Sequence, residues 1–384
     1  MRILVTGGAG FIGSHVVDAY VQAGHEVWVL DDLFRGKREQ VNPRARFIRM
    51  DIRSPEVKDL LAETRFDCIN HHAAQIDVRV SVADPARDAL INVLGTLNLL
   101  EAARTHQDLR IIFASTGGAI YGEQCHFPAN EQHPTVPRSP YGVAKRAVEL
   151  YLEYYRQVHG LRYVVLRYAN VYGPRQDPEG EAGVVAIFCG RILHGQRLFI
   201  YGTGEQTRDY VHVGDVARAN LLALNYLTRF TESTQSVETI DWGSGPTIEL
   251  NNSITPQNHR TRTLNGFKNS MTQQTQGTAG SSGTQRTQRT RVFNIGTGIE
   301  TSVNALAAML LEAADADCPV VHQPARPGEQ MRSVIDPTLA EMVLGWRPLT
   351  SLPAELVQTL AWFRSKEIVN KQPSALSVGS VADG

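Results

Sequence analysis

The sequence predicts an α/β protein built on a doubly wound parallel sheet, with a smaller C-terminal lobe that would bind substrate. Three observations predict it. Short β-branched runs alternate with longer helical patterns through the first half, and a glycine-rich turn follows the first of those runs. After Asn170 the regular alternation gives way to the Pro-, Gly- and acid-containing stretch VYGPRQDPEGEAGVV, whose composition is that of loops.

In chain order the strands are RILVTG, HEVWVLDD, ARFIRMD, FDCINHHAA, LRIIFAST and RYVVLRYAN. Parallel neighbours need crossover connections, so the helical patterns between them are expected to cover both faces of the sheet. This places a Rossmann-like nucleotide-binding domain at 1–170 and a substrate-binding lobe at 171–365, with segments of the lobe returning to the sheet. The helical pattern DVARANLLALNYL and the strand pattern VFNIGTG flank residues 230–291, where Thr, Ser, Gln, Asn and Gly dominate. Such a composition buries too little apolar surface to offset the entropy of ordering, so a disordered insert is expected there. Residues 366–384 are expected to form a flexible tail for the same reason.

The 384 residues carry 38 Lys and Arg against 39 Asp and Glu, a formal net charge of −1. No basic field attracts nucleic acid, and small molecules are the expected ligands. Cys68, Cys125, Cys189 and Cys318 form no CxxC pair, which argues against a disulfide framework or a zinc site and fits a reducing cytoplasm. RILVTGG follows Met1 without a charged leader, and no window approaches the ~20 apolar residues of a membrane span. His71 and His72 are adjacent on a strand and so point to opposite faces, with no matching Cys or carboxylate cluster nearby in sequence. No metal is expected.

Within ILVTGGAGFIGSHVV, Gly7, Gly10 and Gly13 lie between an apolar strand and an amphipathic helix. Glycine there permits a tight turn and lets the backbone approach a pyrophosphate, which the helix N-terminus attracts. The second strand ends at Asp31, where a carboxylate can accept hydrogen bonds from both ribose hydroxyls and would repel a 2′-phosphate. NAD is therefore expected over NADP, although Arg35, Lys37 and Arg38 follow closely.

SPYGVAKRAVELYLEYY places Tyr141 and Lys145 on one face at the start of a helix. A phenol with a free pKa of ~10 is a poor base at neutral pH, and a neighbouring ammonium favours the phenolate. Tyr141 can then take a proton from a substrate hydroxyl while hydride leaves for the cofactor.

Taken with HHAAQ at 71–75, NVLGT at 92–96, LRYANVYGPRQ and GWRP, these motifs resemble the extended short-chain dehydrogenase/reductases of the NAD-dependent epimerase/dehydratase family. Within it the chain is most similar to nucleotide-sugar 4-epimerases of the UDP-glucose 4-epimerase group. The resemblance implies inversion at C4 of a UDP-hexose through a transient 4-keto sugar. It also implies that Phe11, Ile12, Asp51, Ile52, Ala73, Ala74, Gln75, Asn92 and Tyr168 serve NAD alongside the glycines, Asp31, Tyr141 and Lys145. Asn170, Tyr201, Arg208, Arg326 and Glu329 would hold the UDP-sugar. The helices at roughly 85–105 and 141–159 would pair across a twofold axis in a homodimer.

In the family the strand before YxxxK delivers a Ser or Thr to the reacting hydroxyl. Thr116 fits, with Ser115 as the alternative, since Thr116 lies five positions before Tyr121 and the commoner pattern has four. Dehydratases of the family place acidic residues immediately after it, where this chain has Gly117 and Gly118. Neither glycine can transfer a proton, which favours epimerisation over elimination. Two other readings are a 4-epimerase of UDP-glucuronate or UDP-N-acetylglucosamine, and a non-catalytic NAD-binding sensor or scaffold.

Overall fold

The computed structural model describes residues 1–106, 108–178, 183–229, 291–326 and 330–371, with side chains described as far as 366. The insert expected at 230–291 lies outside these residues except for Arg291, as does the tail beyond Lys371. The last helix, Leu352–Lys371, includes the first residues assigned to that tail. No Gly or Pro interrupts the chain between Pro353 and Pro373, so nothing local stops the helix at 366.

Strands β1 (Arg2–Thr6), β2 (Glu26–Asp31), β3 (Arg46–Arg49), β4 (Cys68–His71), β5 (Arg110–Thr116) and β6 (Arg162–Tyr168) join Val292–Ile295 in a seven-stranded sheet. Its order is Val292–Ile295, β6, β5, β4, β1, β2, β3, and each neighbouring pair is parallel. The strand order reverses between β1 and β4. In doubly wound sheets the ligand crevice opens beyond the C-terminal strand ends at that switch point.

Alternation along the strands divides the core into two layers. Ile3, Val5, Val164 and Leu166 face one side, where they pack with Val16, Val17 and Tyr20 of the helix Phe11–Gln22 and Ala223 and Leu224 of the helix Val213–Arg229. Leu4, Tyr163 and Val165 face the other, against Leu99 and Leu100 of Gly95–Ala103 and Val148 and Leu152 of Pro140–His159. Strands buried on both faces read as continuous apolar runs, as RILVT and RYVVLRY do.

A third cluster joins Phe188 and Ile192 of Val184–Leu193, Leu198 and Ile200 of Leu198–Tyr201, Leu306 and Leu310 of Val303–Ala314, and Leu356 and Leu360 of the last helix. Small sheets frame it: Asn170–Tyr172 with Tyr210–His212, Leu198–Tyr201 with Val320–Gln323, and Thr207–Arg208 between Thr301–Ser302 and Arg332–Ser333. None of the described helices is long and apolar enough to cross a membrane.

Candidate active site

The C-terminal ends of β1, β2, β4, β5 and β6 converge on a cavity of about 290 Å³ lined by Gly7, Gly10 and Gly13. Gly7 adopts φ +70°, and a Cβ there would sit 2.6 Å from the Ala73 backbone nitrogen. A Cβ on Gly13 would lie 2.2 Å from the Gly7 carbonyl oxygen. The loop thus packs closely both on the strand β4 exit and on the helix it opens. Gly10 is that helix's N-cap, and no acidic residue lies in its first turn, which leaves a suitable end for a pyrophosphate.

Asp31 borders the same cavity. Its Oδ2 accepts from the Ala9 N–H at 3.0 Å and its Oδ1 from the Leu33 N–H at 2.9 Å. Burial pushes its pKa up, and those two hydrogen bonds oppose the shift. Each oxygen keeps acceptor capacity for ribose hydroxyls. Phe11, Ile12, Asp51, Ile52, Ala73, Ala74 and Gln75 also border the cavity, the first two from the opening turn of the helix. The Arg53 guanidinium holds the Asp51 carboxyl below its usual pKa. The donor set fits an adenine dinucleotide.

Asn92 stands behind this surface and is not among the residues lining it. It sits in the π-helical turn Leu90–Leu94, accepts from the Gln75 N–H at 2.8 Å and donates to the Gln75 carbonyl at 2.8 Å. The resemblance implied a cofactor contact; the geometry gives Asn92 the task of holding Gln75 in place.

Tyr141 and Lys145 project from the first turns of Pro140–His159, whose N-cap Ser139 accepts from the Gly142 N–H at 3.2 Å. The Lys145 ammonium donates to the Ala114 carbonyl at 2.9 Å and lies 5.9 Å from the Tyr141 ring centroid. Burial lowers the Lys145 pKa to about 8, with Asp88 and Glu149 opposing the shift. Tyr168 borders the cavity with its ring, while its hydroxyl accepts from Asn220 Nδ2 at 2.9 Å in the interior.

Ser115 and Thr116 take different roles at the end of β5. The Ser115 hydroxyl donates to Glu149 Oε1 at 2.7 Å, and Glu149 pairs with Arg167 at 2.6 Å, all of it buried. The Thr116 Oγ1 accepts from the Ala119 N–H at 3.2 Å and keeps its own proton to donate. Thr116 borders a second cavity of about 650 Å³, which meets the first at Phe11, Ile12, Ile76, Ser115, Tyr141 and Tyr168.

Asn170, Tyr201, Arg208 and Arg326 line this second cavity. The Arg326 guanidinium stacks 3.6 Å from the Tyr201 ring centroid. Glu329 lies outside the described residues. Arg79 and Arg191 also line the cavity and were not anticipated. Arg79 pairs with the helix-capping Asp77 at 3.0 Å, and Arg191 sits over the Phe199 ring at 4.6 Å. In sequence each reads as a solvated helix charge; in the fold Arg191 is half-buried and Arg79, though exposed, borders the cavity. The buried Asp209 was missed as well: it accepts from the Thr297 N–H at 2.8 Å and the Thr297 hydroxyl at 2.6 Å, anchoring the segment beside Arg208. Four guanidinium groups around one cavity suit a ligand with several phosphate oxygens.

His71 is a buried cross-link, its ring bonded to Thr6 Oγ1 at 2.6 Å and Thr96 Oγ1 at 2.9 Å. Desolvation holds its pKa well below the usual imidazole value.

The family model described as "NAD dependent epimerase/dehydratase family" matches residues 3–234. A putative UDP-glucose 4-epimerase of Methanocaldococcus jannaschii is 38% identical over 94% of this chain and 98% of its own length. The structure of the Thermotoga maritima UDP-glucose 4-epimerase with UDP-glucose is 41% identical, with a TM-score of 0.77, covering 96% of this chain and 100% of that one. The Thermus thermophilus UDP-glucose 4-epimerase in complex with NAD is 40% identical, with a TM-score of 0.74, over 95% and 99% of the two chains. A dTDP-glucose 4,6-dehydratase of Streptomyces niveus also matches, at 31% identity over 95% of this chain and 93% of its own.

Proposed function

Because the chain belongs to the NAD-dependent epimerase/dehydratase family, we propose that it inverts C4 of a UDP-hexose, interconverting UDP-glucose and UDP-galactose. The observation that carries this reading is the position of Tyr141. It lies where the two cavities meet, with the Lys145 ammonium on one side and Thr116 bordering the same substrate cavity. NAD, held by the glycine turn and Asp31, would supply the acceptor and donor of the hydride. Tyr141, as phenolate, removes the proton of the 4-hydroxyl and later gives it back. Lys145 favours that phenolate, and Thr116 donates to the sugar oxygen, fixing its position.

Inversion requires the keto sugar to present its other face while the nucleotide stays held. Binding remote from C4 therefore has to supply the affinity. Arg79, Arg191, Arg208 and Arg326 suit a diphosphate in that role. The dehydratase reading is disfavoured at position 118. A Cβ there would meet only ordinary contacts, with Asn170 Oδ1 at 3.5 Å and Thr116 Oγ1 at 3.9 Å, so packing does not demand the glycine that stands where a dehydratase has an acid.

The test is incubation of the purified protein, without added cofactor, with UDP-galactose, UDP-glucuronate and UDP-N-acetylglucosamine in parallel. Formation of UDP-glucose from the first is the expected result. Conversion of another alone moves the assignment to that sugar. Accumulation of a keto product would overturn the epimerase reading, and silence from all three in folded protein would favour a sensor. The same reading includes a homodimer.

A further inference from the structure

Cys125, His126 and His133 lie on the loop between the short helix Gly117–Ile120 and the helix Pro140–His159, away from both cavities. One ligand atom from each falls within 4.8 Å of the others. Cys125 Sγ is 3.4 Å from His126 Nδ1 and 3.4 Å from His133 Nε2. An ion bound tetrahedrally, with bonds of ~2.3 Å to sulfur and ~2.05 Å to nitrogen, sets sulfur and nitrogen about 3.5 Å apart. Both S···N separations match that edge.

The protonation pattern fits as well. His133 Nδ1 faces the Pro134 carbonyl at 2.8 Å. A carbonyl only accepts, so Nδ1 carries the proton and Nε2 presents a lone pair. Metal-bound histidines are oriented in this way, through a backbone carbonyl on the other ring nitrogen. That lone pair already accepts from the Cys125 N–H at 3.0 Å, so the thiol shares a single acceptor with it. A cation bound to Nε2 would take that lone pair, so the Cys125 N–H of this exposed residue would turn to water.

We propose that Cys125, His126 and His133 form a site for a borderline-soft divalent cation, of which Zn²⁺ is the best fit, with water as the fourth ligand. Binding takes up Cys125 as thiolate, and its proton passes to solvent. Cys125 and His126 are exposed and give the ion access, while His133 is buried with its ring edge-on to Tyr121, 5.3 Å between centroids. Tyr121 in turn donates to Asn294 Oδ1 at 2.7 Å and accepts from Arg167 at 3.0 Å. The ion would close this loop on itself, holding Cys125 and His126 to the buried His133 beside Tyr121. The cysteine spacing hides the site because two of its three ligands are histidines, in the pattern C-H-x6-H.

The full chain, stripped of metal, is titrated with Co²⁺ as a spectroscopic probe and then with Zn²⁺. A thiolate-to-cobalt charge-transfer band saturating at one equivalent, and its displacement by Zn²⁺, are expected. Cys68, Cys189 and Cys318 are buried, so alkylation under native conditions reads Cys125 alone. Stoichiometric Zn²⁺ should slow it about tenfold or more. Cys125→Ser should abolish the band, and His126→Ala should weaken Co²⁺ binding at least tenfold; both replace exposed side chains, so folding is retained. Absence of the band, unchanged alkylation with Zn²⁺, or undiminished binding in both variants would overturn the proposal.

Discussion

Tyr141, Thr116 and Lys145 carry the proposed chemistry while Ser115 supports the site, and each predicts a separable effect. Tyr141→Phe removes the proton acceptor while keeping the ring, so turnover should fall about 10²–10⁴-fold with NAD still bound, read by steady-state kinetics and by the cofactor content of the purified variant. Thr116→Val should lower kcat about 10²-fold and, by removing the acceptor of the Ala119 N–H, cost about 0.5–2 kcal/mol of stability. Ser115→Ala should instead cost about 1–3 kcal/mol in denaturant unfolding, because its hydroxyl serves the buried Glu149. Equal kinetic damage from both would reopen the choice between them. Lys145 adds a pH dependence. Its folded-state pKa is about 8, against an ordinary 10.5, so above pH 8 the folded protein loses the ammonium that favours the Tyr141 phenolate. The alkaline limb of kcat/KM should fall with a midpoint near 8. Stability moves the other way: between about 8 and 10.5 the unfolded chain binds the additional proton, so the cost of burying this cation declines as pH rises. A kcat/KM profile flat to pH 10 would contradict the assignment.

Elements differ in how far the sequence reveals them. All six strand runs in the first half, the glycine turn and the Tyr–Lys helix were readable, because short apolar β-branched runs, turn chemistry and helix capping are local properties. The short strands of the lobe, such as Thr207–Arg208 and Arg332–Ser333, were not, since two residues carry no periodicity. Arg79 and Arg191 were hidden for a related reason: their direction depends on long-range packing. The turn Gly117–Ile120 shows where local reading went too far. Both glycines were read as absent acids, yet a Cβ on Gly117 would meet Ile335 Cδ1 at 2.8 Å, so packing alone accounts for that one. At position 118 a Cβ would meet only ordinary contacts, with the cavity-lining residues Asn170 and Thr116. Gly117→Ala should therefore cost about 1–3 kcal/mol by overpacking, whereas Gly118→Ala should leave stability within about 0.5 kcal/mol and raise KM; denaturant unfolding with kinetics on the same variants separates the two.

At the scale of the whole molecule, one surface remains to be explained by the fold of a single chain. On Pro140–His159 the side chains of Val143, Leu150, Tyr154 and Val158 are 52%, 56%, 49% and 58% exposed, and their spacing puts them in one stripe along the helix. Leu90 and Leu94, 44% and 54% exposed, belong to the neighbouring segment Pro85–Ala103. Scattered apolar residues on a surface need no account, but a stripe running along a 20-residue helix beside a second exposed pair marks a contact surface. In the proposed homodimer two such helices would meet their own copies across a twofold axis, where each residue is used twice and the patch closes on itself. The arrangement predicts a dimer at micromolar concentration. Leu94→Arg combined with Leu150→Arg brings four like charges into one apolar patch, which should shift the protein to monomer in sedimentation velocity. Neither side chain is part of the core, so the variant should keep its melting temperature at low protein concentration apart from the dimer's own contribution. A wild-type monomer, or a variant that still sediments as a dimer, would place the interface elsewhere or remove it.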